Sequence, residues 1–225
     1  MELQFIHPEQ LVRPSILRIE RTRLCCRLRR VSDTNGGENA ILKIEVWSVA
    51  SIMTKLRAKL FDNIAVILAG REQELILANL LELYAHDFSE FRDIEIGPDG
   101  RFGYNRLPLY WSEADRYPFL VRVNGRLAGL ILVKRGSEVS GDATVWDMAE
   151  FFILRGYRKR GIGTQVAHQV WKQFPGRWEV RVMESNHLAF RFWVNAISKF
   201  TGETVRPTRI ERGTECWRLF SFASK

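Results

Sequence analysis

The stretch Phe151-Phe152-Ile153-Leu154-Arg155-Gly156-Tyr157-Arg158-Lys159-Arg160-Gly161-Ile162-Gly163-Thr164 carries most of what the chain says about its fold and chemistry. An apolar run ends in a basic, glycine-containing turn, and the turn opens into a segment of helical periodicity. There Ile162, Val166, Val170, Trp171 and Phe174 share one side, and Pro175-Gly176 stops the pattern. The predicted unit is strand, basic loop, helix. Gly161 and Gly163 permit backbone angles and close approaches that a Cβ would deny. The first N–H groups of a helix have no partner within it, and the helix dipole adds positive potential at that end. With Arg158, Lys159 and Arg160 beside them, these groups form an anion site suited to a pyrophosphate. The loop lacks the Gly-Lys-Ser/Thr of a Walker motif. Gln165 and Val166 occupy the place where the dinucleotide fingerprint needs its third glycine.

Working outward, residues 64–69 read as a short strand and residues 71–86 as an amphipathic helix. Residues 87–111 are rich in loop signals. Asn124-Gly125 between the apolar runs 119–123 and 127–133 predicts a two-residue hairpin with a type I′ turn. Residues 145–154 and 178–183 read as strands and 188–200 as a second amphipathic helix. Final strands are expected at 203–210 and 216–222, around an Arg212-Gly213 turn. The order β-α-(α)-β-β-β-α-β-α-β-β predicts an α/β class fold, an α+β mixed sheet flanked by helices. Residues 1–61 read differently. Two strand-like runs, 21–31 and 41–47, flank a glycine-rich turn and suggest a β-hairpin, with Arg27, Arg29 and Arg30 on a basic strand. No aromatic residues are interleaved for base stacking, so these arginines read as a solvated face rather than a nucleic-acid patch. Met53 opens a self-contained stretch. The first 52 residues are therefore read as an appendage or an over-called start.

Composition bounds the function. In 225 residues, 34 Lys and Arg face 26 Asp and Glu, a net charge of +8. Such an excess favours an anionic partner, whether nucleic acid, an anionic membrane or a phosphorylated cofactor. The longest apolar runs fall far short of the roughly 20 residues of a membrane helix. Glu2, Glu9 and Arg13 interrupt any secretory core at the N-terminus. Cys25, Cys26 and Cys216 make neither a disulfide framework nor a metal-ligand spacing, which fits a reducing cytoplasm.

Arg158-Lys159-Arg160-Gly161-Ile162-Gly163 resembles the Arg/Gln-x-x-Gly-x-Gly/Ala signature of the GNAT acetyltransferase superfamily. Residues 150–158 look like that family's fourth strand running into its Tyr-Arg approach. Asn186-His187-Leu188-Ala189-Phe190-Arg191-Phe192-Trp193 resembles its Asn-x-x-Ala-x-x-Phe-Tyr segment. The resemblance spans about residues 64–222. It implies a GNAT acyl-CoA N-acyltransferase fold over residues 62–225, with residues 1–61 as an N-terminal extension of unassigned role. It also implies acetyl-CoA as cosubstrate, no metal, and an amine of a small molecule or peptide as acceptor. In such enzymes the fourth and fifth strands splay and the pantetheine arm enters between them. By position, the backbones of Phe152 and Ile153 would hold the arm. Arg158, Lys159, Arg160, Gly161, Ile162, Gly163 and Thr164 would hold the pyrophosphate, and Asn186 would lie near the pantetheine.

The resemblance also suggests Glu150 as general base, against the alternative of a structural carboxylate paired with an arginine. Arg181 stands where some relatives carry a second glutamate. Trp193 replaces the family's tyrosine, and an indole N–H is no useful acid near neutral pH. Asp87, Glu90 and Asp93, near Tyr84 and His86, would wall an acceptor pocket suited to a cationic amine. A C-terminal hairpin often builds homodimers in this family. Trp193 keeps a second reading open, a non-catalytic acyl-CoA-binding module. A nucleic-acid-binding protein using the basic N-terminal hairpin is the third.

Overall fold

Apolar periodicity and turn chemistry set the elements, and the computed structural model describes residues 63–225 with two short strands nearer the N-terminus. Those strands, β1 (Cys26–Arg29) and β2 (Lys43–Val46), pair antiparallel with Cys26 opposite Val46. The glycine-rich turn expected between them lies outside the described residues. The chain divides into two compact units, Met1–Leu60 and Phe61–Lys225.

The second unit runs β3 (Ile64–Leu68), a 3-10 turn (Arg71–Gln73), α1 (Glu74–Phe88), α2 (Leu109–Ser112), β4 (Arg116–Val123) and β5 (Arg126–Arg135). It continues through β6 (Trp146–Ile153), a 3-10 turn (Arg155–Tyr157), α3 (Ile162–Gln173), β7 (Gly176–Met183), α4 (His187–Thr201), β8 (Thr208–Arg212) and β9 (Glu215–Ser224). Seven strands make one mixed sheet in the order β3-β4-β5-β6-β7-β9-β8, the α/β arrangement that the element order predicts. Asn124 and Gly125 both take positive φ (51° and 76°), as a type I′ turn requires, and Val123 faces Arg126 across it. The expected strand at 203–210 starts late. Gly202 ends α4 in the left-handed region, and Pro207 has no N–H to give a ladder, so pairing begins with Thr208 opposite Leu219.

Helices cover both faces of the sheet. On one face, Val166, Val170 and Trp171 of α3 and Trp193 and Ile197 of α4 pack on Ile131, Val133, Trp178 and Phe220. On the other, Leu77, Leu80 and Leu81 of α1 with Leu107 and Tyr110 pack on Leu120, Leu130, Leu132 and Phe152. The interior strand β5 sends alternate residues into each layer. That is why its sequence is a near-continuous apolar run rather than an alternating one.

Two irregularities of β6 shape the site. Opposite β5, Leu132 faces Glu150 but Val133 faces Met148, so Ala149 is an extra, bulged residue. Met148 joins the α3–α4 layer, while Glu150, two residues on, lies on the α1 face with Tyr104. Regular alternation would have put both on one face. Secondly, β6 and β7 are parallel neighbours over only two pairs, Trp146 with Trp178 and Asp147 with Glu179. Beyond these the strands part, and a fork opens toward their carboxyl ends.

Candidate functional site

The fork exposes one backbone edge of β6. Leu154 N donates to Ala128 O on β5 (2.9 Å). Because amide groups alternate sides along an antiparallel strand, Phe152 also turns toward β5, and Phe151 and Ile153 turn toward the fork. Of the two backbones that the sequence reading assigns to the arm, Ile153 lies on the open edge and Phe152 does not. The Phe152 backbone belongs to the ladder and its ring to the α1 layer. Phe151 takes its place on the open edge. The Phe151 ring lies 4.9 Å from that of Trp193, which is buried (6% exposed) among aromatic rings.

The loop after β6 ends in a helix N-terminus. Lys159 and Gly161 both adopt positive φ (60° and 79°), and Gly161 is the left-handed cap of α3. The first intrahelical bond runs from Gln165 N to Gly161 O (3.2 Å), so the amides of Ile162, Gly163 and Thr164 have no helical acceptor. The side chain of Ile162 is fully buried, leaving only its N–H to offer an anion. A Cβ on Gly163 would stand 3.1 Å from a Phe192 ring carbon, so this glycine brings α3 close to α4. Lys159 and Arg160 are exposed beside the cap.

Two of the loop's arginines are tied down. Arg155 donates through Nε and Nη2 to Asp87 Oδ1 (3.0 and 2.7 Å), and Arg158 bonds Asp87 Oδ2. Arg158 Nε also donates to Ile153 O at 2.6 Å. Burial works to raise the pKa of the Asp87 carboxyl, but the bonds from Arg158 and Arg155 prevail and hold it below the usual aspartate value. Asp87, expected in the acceptor wall, therefore anchors the loop after β6 to the end of α1.

Glu150 is partly buried and accepts a hydrogen bond from Tyr104 Oη (3.0 Å), with Tyr84 as a second hydrogen-bond partner. Desolvation raises its pKa above the ordinary glutamate value. Hydrogen bonding to Tyr84, the charge of Arg181 and the bond from Tyr104 offset part of that rise. Both tyrosines are themselves pushed well above their usual value, by burial first and then by the Glu150 charge, so they remain donors. Arg181 acts on Glu150 through its charge and makes its hydrogen bonds elsewhere. Arg181 Nη1 bridges both oxygens of Asp147 (2.8 and 2.6 Å), and the Asp147 side chain is 2% exposed. This ion pair sits at the root of the fork. Sequence reasoning named Tyr84 only beside the acceptor wall, and missed its bond to Glu150 as it missed Tyr104 and Asp147. The spacing of Tyr84 from Leu77, Leu80 and Leu81 was the available signal, since it places the phenol on the buried face of α1.

A cleft of about 690 Å³ lies at the open end of β7, lined by Phe91, Arg92 and Asp93 after α1, Met183 to Ser185, His187, and Thr214 to Cys216. Arg92 pairs with Glu215 (2.7 Å), and Glu184 with Arg209 (3.1 Å) and Arg218. Asp93 is exposed in the same wall. Glu150 does not line the cleft. Asn186 caps α4, its Oδ1 accepting from Ala189 N (2.9 Å), so the donor side of its amide, the N–H₂, is not used by the cap. No group of three or more metal-ligating side chains occurs among the described residues, and no described helix is long and apolar enough to cross a membrane.

A family model described as "Acetyltransferase (GNAT) family" matches residues 77–195. Among solved structures, an acetyltransferase from Thermus thermophilus aligns at a TM-score of 0.53 and 15% identity, over 72% of this chain and 97% of the other. Arabidopsis thaliana NAA60, solved with a bisubstrate analogue, aligns at 0.50 and 17%, over 72% and 98%. The protein yncA from Salmonella typhimurium, solved with its cofactor acetyl-CoA, aligns at 0.50 and 10%, over 72% and 94%. At these identities the likeness is one of fold. No curated protein sequence matches the chain.

Proposed function

The chain belongs to the GNAT acetyltransferase family, and we propose that it transfers the acetyl group of acetyl-CoA directly to a primary amine of a small molecule or peptide. One observation carries the reading: β6, parted from β7 at its carboxyl end, runs through a short turn into a left-handed cap and the bare N-terminus of α3. An extended arm and an anionic tail require those two features side by side. The acetyl-CoA named with the Salmonella structure supports the choice of donor.

The donor supplies a thioester whose carbonyl is open to attack by an amine. The backbone groups of Phe151 and Ile153 would hold the pantetheine arm as an added strand, and those nearest the carbonyl would stabilise developing negative charge. The amides of Ile162, Gly163 and Thr164, with Lys159, Arg160 and Arg158, would hold the pyrophosphate. Much of the rate then comes from aligning the two reactants. The cleft at the end of β7 receives the acceptor, with Asp93 and the carboxylates around it favouring a cation. Glu150 lies outside that cleft, so as general base it takes the ammonium proton through a bridging water, with Tyr84 and Tyr104 fixing the carboxylate. Trp193 offers no acid. A thiol, ionising at about 8.5, leaves as the thiolate without one.

Calorimetric titration with acetyl-CoA tests the donor assignment. A single saturable site supports it, and absence of heat at any concentration contradicts it. The buried Trp193 favours one second reading, a module that binds acyl-CoA without turnover. Binding without acetyl transfer would establish that one instead.

A further inference from the structure

Three contacts fix the side chain of Arg158. Its Nε donates to Ile153 O at 2.6 Å, its guanidinium lies 5.5 Å from the centre of the Phe152 ring, and its Nη2 bonds Asp87. The side chain is nonetheless 40% exposed and can exchange partners without breaking the core. Ile153 O is an acceptor on the edge of β6 that faces the fork. A strand-like ligand docking there needs that oxygen for a ladder bond. While Arg158 donates to it, the protein itself occupies the position.

The same arginine stands three residues before Gly161, the cap of the helix end that offers N–H groups to an anion. Phosphate oxygens at that end would give the guanidinium a bidentate partner. Without them it has a share of one carboxylate, which Arg155 also claims. Exchanging Asp87 and Ile153 O for the phosphate would free the edge of β6 at the moment a pyrophosphate-bearing donor arrives.

We propose that Arg158 is a specificity-determining gate: it closes the edge of β6 to thioesters that lack a pyrophosphate and opens it to those that carry one. Asp87 is the latch that sets how firmly the gate is shut. The inference rests on the reading of acetyl-CoA as donor and adds a discrimination to it.

The test is calorimetric affinity of the full chain for acetyl-CoA and for S-acetylpantetheine, in the wild type, Arg158→Gln and Asp87→Ala. Arg158→Gln should weaken acetyl-CoA by about tenfold to a hundredfold, the worth of a charge-assisted contact. It should tighten acetylpantetheine by about fivefold, the worth of one hydrogen bond regained by the ligand. Asp87→Ala should also tighten acetylpantetheine, without weakening acetyl-CoA, because Arg158 is still present to meet the phosphate. Opposite signs for the two ligands are outside the reach of a merely structural role. If Arg158→Gln shifts both ligands in one direction, or neither variant binds acetylpantetheine better than wild type, the gate is wrong while the donor reading stands. If the wild type does not bind acetyl-CoA, the donor reading fails and takes the gate with it.

Discussion

In the proposed reaction the chemistry turns on Glu150 and its two phenols, Tyr84 and Tyr104. Replacing the carboxylate in Glu150→Gln should lower kcat by about 10²–10⁴-fold, the usual worth of a positioned base. The acid limb of the pH–rate profile should disappear with it; a limb retained unchanged would remove Glu150 from the role. As the proposed base, Glu150 would work only as the carboxylate. Since burial raises its pKa, activity should fall with decreasing pH at values above the ordinary glutamate range. Tyr104→Phe deletes a hydrogen bond to the charged form, raises that pKa further, and should move the acid limb to higher pH with its shape intact. Steady-state rates from acid to neutral pH check both. The carboxylate at 150 is legible as a polar residue in an apolar strand. Its face is not, because a single bulged residue, Ala149, reverses the alternation, and that bulge is defined only by the partner strand.

Elements are readable where the local signal dominates. Asn124-Gly125 specifies its own turn. The helix starting at 162 announces itself by glycines before it, a period of apolar residues within it, and Pro175-Gly176 after it. What the sequence hides is contact between elements. Arg158 reads as a phosphate ligand, and nothing in the chain order shows that Asp87, at the far end of α1, pairs with both it and Arg155. Likewise the pair Asp147–Arg181, which ties β6 to β7 at the point where they part, joins residues 34 positions apart. Gly163 reads as a site of close approach to a ligand, and the structure adds a neighbouring helix. Gly163→Ala would push a methyl group into the Phe192 ring and should cost about 1–3 kcal/mol, as overpacking does. Thermal denaturation would register this as a lower Tm; an unchanged Tm would mean that α3 and α4 separate without penalty.

For the molecule as a whole, the net charge of +8 admits nucleic acid, membrane or a phosphorylated cofactor. Four of its cations, Arg155, Arg158, Lys159 and Arg160, fall in one loop, and Asp87 already balances two of them. Every residue assigned to the donor, the base or the acceptor cleft lies in the unit Phe61–Lys225. A chain beginning at Met53 should therefore bind acetyl-CoA with unchanged Kd, and a large loss of affinity would give the N-terminal residues a part in the site. The central claim is acetyl transfer to an amine, and amine-dependent thiol release from acetyl-CoA, with the product weighed by mass spectrometry, tests it most directly. The account predicts thiol release that saturates with a cationic amine and an acceptor heavier by one acetyl group. Saturable acetyl-CoA binding with no amine raising thiol release above background hydrolysis would contradict it.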